Sequence, residues 1–261
     1  MVYKGMNIMK YFFFDIDGTL AVGNTGIIPK NTKRAVKLLQ KNGHFVAIAT
    51  GRLYINAINY CKDLGINNLV SDGGSGVTIN GKLIGVEPLD YNLCINLLEE
   101  LDEKGIAWSI NYNDECVRYC NREQFMKEIE DGYTKTKLKK DLDFHKIKTI
   151  RKIYISCTKE MEKDIKSLKY LSSTRFHERC LFIEDDDKSI GIKKVMDYFN
   201  APYKDVVVFG DESNDLKMFL DEWTSIAMGN ATKELKEKAD FITKNCDDNG
   251  IEYALRHFGW I

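Results

Sequence analysis

Short apolar runs alternate with amphipathic stretches over residues 10–70, and this alternation constrains the fold more than any other feature of the chain. Lys10–Asp15 and His44–Thr50 have the composition of strands, whereas Asn31–Asn42 and Arg52–Leu64 space their apolar residues as helices do. Strands that alternate with helices along a chain form parallel sheets covered by helices. The pattern therefore predicts an α/β fold with a parallel sheet.

The same alternation returns near the C-terminus, after a region with a different pattern. A helix is predicted at Gly191–Phe199 and a strand at Asp205–Phe209, followed by further short strands and helices. In the intervening region, helices mix with strands and turns as in an α+β domain. We therefore expect a Rossmann-like core formed by residues 1–84 and 186–261, with residues 85–185 inserted as an α+β domain.

The inserted region contains several predicted elements, and a hairpin turning at Asn80-Gly81 leads into it. The predicted elements are a helix at Asn92–Glu103, strands at Ala107–Ile110 and Cys116–Tyr119, a lysine-rich stretch at 135–148 that is helical or irregular, a strand at Ile153–Cys157, a helix near 160–170, and an apolar stretch at Arg175–Ile183. In the core, a further helix is predicted near Asn214–Leu220.

Charge and composition exclude several classes of function. The chain of 261 residues has 38 Lys and Arg against 39 Asp and Glu, a net charge of -1. Binding to nucleic acid or to an anionic membrane needs a basic excess, so neither partner is expected. No apolar run approaches the roughly 20 residues that span a bilayer, and Met1–Lys10 lacks the layout of a signal peptide. The seven cysteines are scattered and odd in number, which indicates free thiols and a cytoplasmic protein.

Polar residues follow the predicted strands of the core at the points where those strands end. Open α/β sheets bind ligands beyond the carboxyl ends of their strands, so these residues are candidates for a functional site. They are Asp15, Asp17 and Gly18 after the first strand, Thr50 after the second, Asp211, Asn214 and Asp215 after the late strand, and Lys188 just before the helix at Gly191–Phe199.

Carboxylates that converge in this way repel one another unless a cation neutralises them. Oxygen donors that leave room for water and a phosphate favour Mg²⁺ over a closed Ca²⁺ cage. With Lys188 and Thr50 facing the same point, the natural ligand is a phosphoryl group. Asp15 can then attack phosphorus to form an aspartyl-phosphate, while Asp17 protonates the leaving oxygen and activates the hydrolytic water.

Four segments together resemble the motifs of the haloacid dehalogenase superfamily. They are Asp-x-Asp-Gly-Thr at 15–19, Thr50 within Ala49-Thr50-Gly51-Arg52, the lysine at 188, and Gly-Asp-x-x-Asn-Asp at 210–215. Their order, and the long insert between the second and third motifs, is similar to the Cof-like phosphatases, which carry a substrate-covering cap at that point. The resemblance extends from Met9 to the C-terminus, and Met1–Ile8 precede the usual start, which makes Met9 a candidate initiator.

The resemblance implies a Mg²⁺-dependent phosphatase acting on a small phosphorylated metabolite, such as a sugar phosphate. The implied roles are Asp15 as nucleophile, Asp17 as acid and base, Thr50 and Lys188 as ligands of the phosphoryl oxygens, Gly51, Arg52 and Asn214 as further substrate contacts, and Asp15, the main-chain carbonyl of Asp17, and Asp211 as metal ligands, with Asn214 or Asp215 close by.

The chain departs from the family pattern at two positions. Ser71-Asp72-Gly73-Gly74 stands where Asn-Gly-Ala is usual, which adds a carboxylate near the site. The lysine is usually followed by glycine, whereas Lys188 is followed by Ser189, so Lys193 is a second candidate for its role.

Three alternatives are compatible with the motifs. One is a degenerate binding protein that keeps the fold without turnover, and the presence of every motif residue argues against it. A phosphomutase would return the phosphoryl group to its substrate and leave no mark in the motifs. A non-enzymatic phospho-acceptor resembling a response-regulator receiver also combines carboxylates, Thr or Ser, and Lys around Mg²⁺. Asp17 and the long insert argue against a receiver, which needs neither.

Other residue clusters have simpler interpretations. Cys116 and Cys120 lack a second pair at zinc spacing and are expected to line a strand. The acidic run 184–187 is interpreted as a solvated hinge. The lysine-rich stretch is either a solvated face or a surface that meets an anionic substrate. Arg118, Arg175 and His177 are the candidates for substrate contact from the inserted region.

Overall fold

The computed structural model describes residues 9–113, 115–129 and 134–261. The expectations for Met1–Ile8 lie outside the described residues. The strands, numbered along the chain, are β1 (Tyr11–Phe14), β2 (Phe45–Ala49), β3 (Leu69–Ser71), β4 (Gly76–Ile79), β5 (Lys82–Val86), β6 (Trp108–Asn111), β7 (Val117–Cys120), β8 (Lys135–Leu138), β9 (Lys152–Ser156), β10 (Ser173–His177), β11 (Cys180–Ile183), β12 (Val206–Gly210), β13 (Thr224–Ala227) and β14 (Phe241–Ile242).

The α-helices are α1 (Lys30–Lys41), α2 (Tyr54–Leu64), α3 (Tyr91–Glu103), α4 (Glu123–Glu128), α5 (Lys159–Glu162), α6 (Lys188–Tyr198), α7 (Lys233–Lys238) and α8 (Gly250–His257). Short 3-10 helices occupy Gly23–Thr25, Asp72–Gly74, Phe144–Lys146, Lys166–Tyr170, Tyr203–Asp205, Ser213–Met218 and Cys246–Asp248. The described residues fall into two compact units, which we call the core unit and the inserted unit. The core unit comprises the described part of Met1–Arg52, with Ala57–Gly85 and Asp187–Ile261, and the inserted unit comprises Leu53–Asn56 and the described part of Val86–Asp186.

The core unit contains the predicted parallel sheet, in the order β14-β13-β12-β1-β2-β3-β4-β5. Pairing is parallel from β14 to β3, and β4 runs antiparallel to β3. In β1, Phe14 is in register with Phe209 of β12 on one side and with Ile48 of β2 on the other. The carboxyl ends of β1, β2 and β12 therefore lie side by side, as the sequence predicted.

Helices cover both faces of this sheet. Successive side chains of a strand point to opposite faces, so neighbouring residues of β1 pack against different helices. Tyr11 and Phe13 pack in a cluster with residues of α6, including Ile192 and Val195. On the other face, Phe12 packs against Trp260, with ring centroids 5.0 Å apart, and α1 contacts α8. Phe12, Phe13 and Phe14 are fully buried, and burying each such side chain contributes about 1.5–3 kcal/mol. This double covering explains why β1 is an uninterrupted apolar run.

The predicted hairpin connects β4 to β5. Asn80 and Gly81 have φ angles of 51° and 77°, the two positive values that a two-residue type I′ turn requires. The Asn-Gly pair was therefore a reliable indicator of this turn.

The inserted unit is built on a second sheet, in the order β10-β11-β9-β6-β7-β8. Its pairs are antiparallel except for β7 with β8, which are parallel. Leu97 and Leu101 of α3 pack on one face of this sheet against Trp108, Ile153 and Ile155. The α+β class predicted for the insert is confirmed.

The structure corrects the prediction for the lysine-rich stretch, because residues 135–138 form a strand and not a helix or irregular segment. In β8 the exposed Lys135 and Lys137 alternate with the partly buried Thr136 and Leu138, which is the period of a strand. As β8 is an edge strand, its lysines also discourage pairing with another chain.

Three other elements differ in detail from their prediction. The apolar stretch at Arg175–Ile183 is two antiparallel strands, β10 and β11, separated by a turn. The helix near 160–170 is the short α5 followed by a 3-10 helix, and the helix near Asn214–Leu220 is the 3-10 helix Ser213–Met218. Apolar spacing alone does not separate a long helix from two short helical turns. No described helix is long and apolar enough to cross a membrane.

Candidate active site

The site is built on the turn that follows β1. The Asp15 amide donates to the carbonyl of Phe209 at 3.0 Å, which ties the turn to β12. Thr50 follows the neighbouring β2, and its amide donates to the Val70 carbonyl at 2.9 Å. Asp211 follows β12. These three residues are buried at the same edge of the sheet because their strands are adjacent and parallel.

Lys188 connects two of the carboxylates. Its Nζ donates to Asp15 Oδ1 at 2.6 Å and to Asp215 Oδ1 at 2.5 Å, and its side chain is 1% exposed. Lys188 is the first residue of α6, and Asp187 caps that helix by accepting from the Ser189 amide at 3.0 Å. The cap determines where the helix begins and therefore where the ammonium group points.

Glycines allow α6 to approach the turn after β3. A Cβ atom on Gly191 would lie 2.4 Å from Val70 Cγ1 and 2.7 Å from the Gly74 carbonyl oxygen. A Cβ on Gly74, whose φ is +114°, would lie 2.1 Å from the Asp187 carbonyl oxygen. Only backbone fits between these elements, so both glycines are needed to bring Lys188 to the sheet edge.

Asp211 is held by residues from other turns. Its Oδ1 accepts from Thr19 Oγ1 at 2.8 Å, and its Oδ2 lies 3.3 Å from Asn230 Nδ2. Asn230 also donates to the Gly18 carbonyl at 2.8 Å. Gly18 has a φ of +84°, and a Cβ there would lie 2.0 Å from Asp211 Oδ2. The turn after β1 thus depends on glycine for both its conformation and its closeness to Asp211.

The protonation equilibria in this cluster are strongly perturbed. Burial raises the pKa of Asp15 from 3.8 to about 7, although Lys188 opposes the rise. Burial, together with repulsion from Asp15 and Asp215, raises the pKa of Asp211 from 3.8 to about 8. Burial disfavours the charge on Lys188, but the Asp15 and Asp215 carboxylates outweigh it and raise the Lys188 pKa. The cluster therefore holds more carboxylates than one lysine neutralises.

These residues fit a hard divalent cation. Carboxylate oxygens of Asp15, Asp211 and Asp215 lie within 4.8 Å of one another. Asp215 Oδ1 accepts from Lys188, and its Oδ2 accepts from the amides of Asp211 at 2.9 Å and Glu212 at 3.2 Å. Asp215 thus accepts three hydrogen bonds of 3.2 Å or shorter, against one at Asp15 and one at Asp211, so Asp15 and Asp211 keep more free acceptor capacity for a cation. All donors are oxygen atoms, as Mg²⁺ prefers.

Asp17 and Arg52 form a two-point ion pair. Arg52 Nε donates to Asp17 Oδ2 at 2.8 Å, and Arg52 Nη2 donates to Asp17 Oδ1 at 2.7 Å. The guanidinium lies over the ring of Tyr60, 5.1 Å from its centroid. Thr50 Oγ1 accepts from the Arg52 amide at 3.2 Å, so the hydroxyl also caps the turn after β2.

The remaining candidates of the core unit occupy different positions. Gly51 approaches Asn214, because a Cβ on Gly51 would lie 3.9 Å from Asn214 Nδ2, and Asn214 is exposed. Lys193 is not brought to the cluster, since its Nζ donates to Glu222 at 2.9 Å on the protein surface. Asp72, in the atypical segment after β3, is buried with a φ of 52°.

The candidates of the inserted unit have partners within that unit, and His177 Nδ1 accepts from the Arg179 amide at 3.3 Å. Arg118 is buried against the rings of Phe125 and Tyr154, and Arg175 donates to Glu162 at 2.6 Å. These contacts are consistent with structural roles.

The cysteine and acidic-run predictions are partly corrected. The seven cysteines are free thiols, as predicted. Cys120 lies in β7, whereas Cys116 precedes the strand and is exposed. The division between the two units falls within the acidic run, between Asp186 and Asp187, but the run is not simply solvated. Glu184 pairs with Lys152, Asp186 accepts from Ser172 at 2.7 Å, and Asp187 caps α6.

Sequence reasoning missed Thr19, Asn230 and Tyr60. Thr19 belongs to the first motif but was given no role, and Asn230 follows β13, so the strand-end rule would have found it. Tyr60 lies within α2 and gave no signal, because its contact with Arg52 depends on the fold.

A parallel α/β sheet with a buried lysine among carboxylates at its carboxyl edge is typical of enzymes that bind a phosphoryl group. Residues 12–255 match the family model described as haloacid dehalogenase-like hydrolase, so the chain belongs to this family. It is a phosphatase-type hydrolase of the Cof-like group, as the sequence motifs indicated.

Individual relatives match nearly the whole chain. The Bacillus subtilis protein named "Putative phosphatase YkrA" is 34% identical, over 96% of this chain and 98% of its own length. The B. subtilis 5-amino-6-(5-phospho-D-ribitylamino)uracil phosphatase YwtE is 25% identical, over 95% of this chain and 97% of its own. The crystal structure of a hypothetical protein from Geobacillus kaustophilus HTA426 has a TM-score of 0.84 and 29% identity, covering 97% of this chain and 100% of that chain.

Proposed function

We propose that the protein is a Mg²⁺-dependent phosphatase that hydrolyses phosphate monoesters of small metabolites through an aspartyl-phosphate on Asp15. The observation that carries the proposal is the contact of Lys188 with Asp15 and Asp215, beside Asp211, at the edge where parallel strands end. A nucleophile, a buried cation and a metal-binding carboxylate are thereby gathered from segments that are far apart in sequence.

Asp15 is the nucleophile. Its carboxylate oxygen attacks phosphorus, the bond from phosphorus to the substrate oxygen breaks, and the leaving oxygen takes a proton from Asp17. Asp17 then accepts a proton from water, which attacks phosphorus and releases inorganic phosphate and free Asp15. Asp17 suits both steps because it lies two residues after Asp15 and is less buried than Asp15.

Other side chains stabilise the transferred group. Lys188 lies next to Asp15 and neutralises charge on the phosphoryl oxygens, and Thr50 donates its hydroxyl from the adjacent strand end. Mg²⁺, when bound by Asp15, Asp211 and the Asp17 carbonyl, would neutralise the phosphoryl charge and favour the ionised carboxylates. Gly51 and Asn214 contact the substrate where the turns after β2 and β12 approach each other.

The substrate is a small phosphate monoester such as a sugar phosphate. Full-length relatives named as phosphatases, one of them for 5-amino-6-(5-phospho-D-ribitylamino)uracil, support this class. We propose that residues 85–185 act as a cap that excludes water and selects the leaving group. Release of phosphate to water, and not its return to the substrate, is the outcome that relatives named as phosphatases support.

The test measures release of inorganic phosphate from 4-nitrophenyl phosphate and from a panel of sugar phosphates, with Mg²⁺ or with EDTA. We expect Mg²⁺-dependent turnover that Asp15→Asn lowers by at least about 1,000-fold, because the nucleophile is lost. Asp221→Asn is the matched control, an exposed carboxylate in the same unit, and should keep full activity. Turnover that survives in Asp15→Asn, or in EDTA, would contradict the mechanism, and an isomeric sugar phosphate as product would indicate a mutase.

A further inference from the structure

The ion pair between Arg52 and Asp17 holds a side chain that the proposed reaction needs. Both carboxylate oxygens of Asp17 accept from the guanidinium, at 2.7 and 2.8 Å. The Arg52 side chain is 12% exposed and that of Asp17 is 24% exposed. A fork of two parallel hydrogen bonds fixes the plane of a carboxylate, whereas a single contact leaves it free to rotate.

Arg52 is itself held from several sides. Its guanidinium lies over the Tyr60 ring, 5.1 Å from the centroid, and its amide donates to Thr50 Oγ1 at 3.2 Å. Its carbonyl accepts from the Asp72 amide at 2.9 Å. Because backbone and side chain are both restrained, Arg52 can impose an orientation on Asp17 instead of following it.

We propose that Arg52 is a positioning residue, which holds the Asp17 carboxylate in the orientation from which it exchanges a proton with the leaving oxygen. The inference rests on the proposed function, and it differs from the prediction from sequence that Arg52 contacts the substrate, which stays a prediction. Each carboxylate oxygen has two lone pairs, so an oxygen that accepts from the guanidinium can also carry the proton that passes to the leaving oxygen. Without the fork, Asp17 would rotate at the end of a turn, and misplacement by about 1 Å can cost 100-fold in rate.

The leaving group provides the readout. A weakly basic leaving group, such as 2,4-dinitrophenolate, departs without a proton, whereas the more basic phenolate of phenyl phosphate depends on the acid. We expect Arg52→Gln to lower kcat/KM for phenyl phosphate by about 30- to 100-fold and for 2,4-dinitrophenyl phosphate by less than about 3-fold. Asp17→Asn should likewise lower kcat/KM more for phenyl phosphate than for 2,4-dinitrophenyl phosphate, which is a steeper dependence of rate on the leaving group. The Asp17→Asn/Arg52→Gln double variant should be no slower on phenyl phosphate than Asp17→Asn alone, because both changes disable the same proton donor.

A further variant separates geometry from charge. Arg52→Lys keeps the charge but loses the fork, so it should recover little of the phenyl phosphate activity. The control Asp221→Asn, at an exposed carboxylate, should behave as wild type on both aryl phosphates. The dissociation constant of inorganic phosphate, measured by calorimetry with Mg²⁺, should change less than about 3-fold in Arg52→Gln, since Asp17 and not the phosphoryl group is the partner of Arg52.

Several outcomes would overturn the inference. Equal losses on both aryl phosphates, with weaker binding of inorganic phosphate, would make Arg52 a phosphate ligand. Full recovery in Arg52→Lys would show that charge suffices. If Asp17→Asn steepens the leaving-group dependence and Arg52→Gln does not, the positioning role of Arg52 is wrong, while the acid role of Asp17 stands. If Asp17→Asn also has no such effect, the acid role in the proposed function fails.

Discussion

Asp211→Asn should stabilise the metal-free protein at alkaline pH. The Asp211 side chain is buried, and its pKa is raised from 3.8 to about 8, mainly by burial and then by Asp15 and Asp215. The unfolded chain loses this proton near pH 4, whereas the folded protein keeps it up to about pH 8, so stability falls as pH rises between these values. Asparagine removes the ionisation and can still accept from Thr19.

The size of the effect follows from the shift in pKa. At about 1.4 kcal/mol for each pH unit, the full shift corresponds to an upper limit of roughly 6 kcal/mol. Relaxation and water penetration reduce such values, so we expect about 3 kcal/mol at pH 8 and above. For a protein of this size that is roughly 6–12 °C in Tm.

The assay is differential scanning calorimetry of both proteins in EDTA, at about pH 5 and pH 8, and again with Mg²⁺. The Tm advantage of Asp211→Asn should be small at pH 5 and large at pH 8. Saturating Mg²⁺ should raise the wild-type Tm far more than that of the variant, which has lost a ligand. The control Asp221→Asn should follow wild type throughout. If the Tm of wild type and the Tm of Asp211→Asn in EDTA depended equally on pH, the reasoning would be refuted.

Two further predictions concern stability. Gly191→Ala places a Cβ 2.4 Å from Val70 Cγ1 and should cost about 1–3 kcal/mol in urea unfolding, with reduced phosphatase activity because Lys188 moves. Gly85→Ala, with open space around it, should leave both unchanged, and equal behaviour of the two variants would contradict the packing argument. Burial lowers the His44 pKa below 6.5, so stability should fall as pH drops through 6.5, by at most about 1.4 kcal/mol per pH unit. His44→Gln should flatten that part of the curve measured by thermal melts, and an unchanged slope would exclude His44 as its source.

The sequence predicted the core well because its signals are local. Uninterrupted apolar runs such as Tyr11–Phe14 identify strands buried on both faces, and the Asn80-Gly81 pair identifies a tight turn. The polar residues that follow those strands had to meet once the strands were parallel neighbours. Residues 135–138 were missed because lysine has low strand propensity and the strand forms only by pairing with β7.

Tertiary structure decided how the gathered side chains are paired. The motifs predict that Asp15, Asp17, Thr50, Lys188 and Asp211 share one site, because each follows a strand or begins a helix at the same edge. No local pattern shows that Lys188 contacts both Asp15 and Asp215, or that Asp17 faces Arg52. Those partners come from separate turns, and their distances depend on how closely α6 and the loops pack against the sheet. Close packing, here permitted by Gly74 and Gly191, is a property of the folded chain, since it requires atoms remote in sequence to occupy neighbouring space.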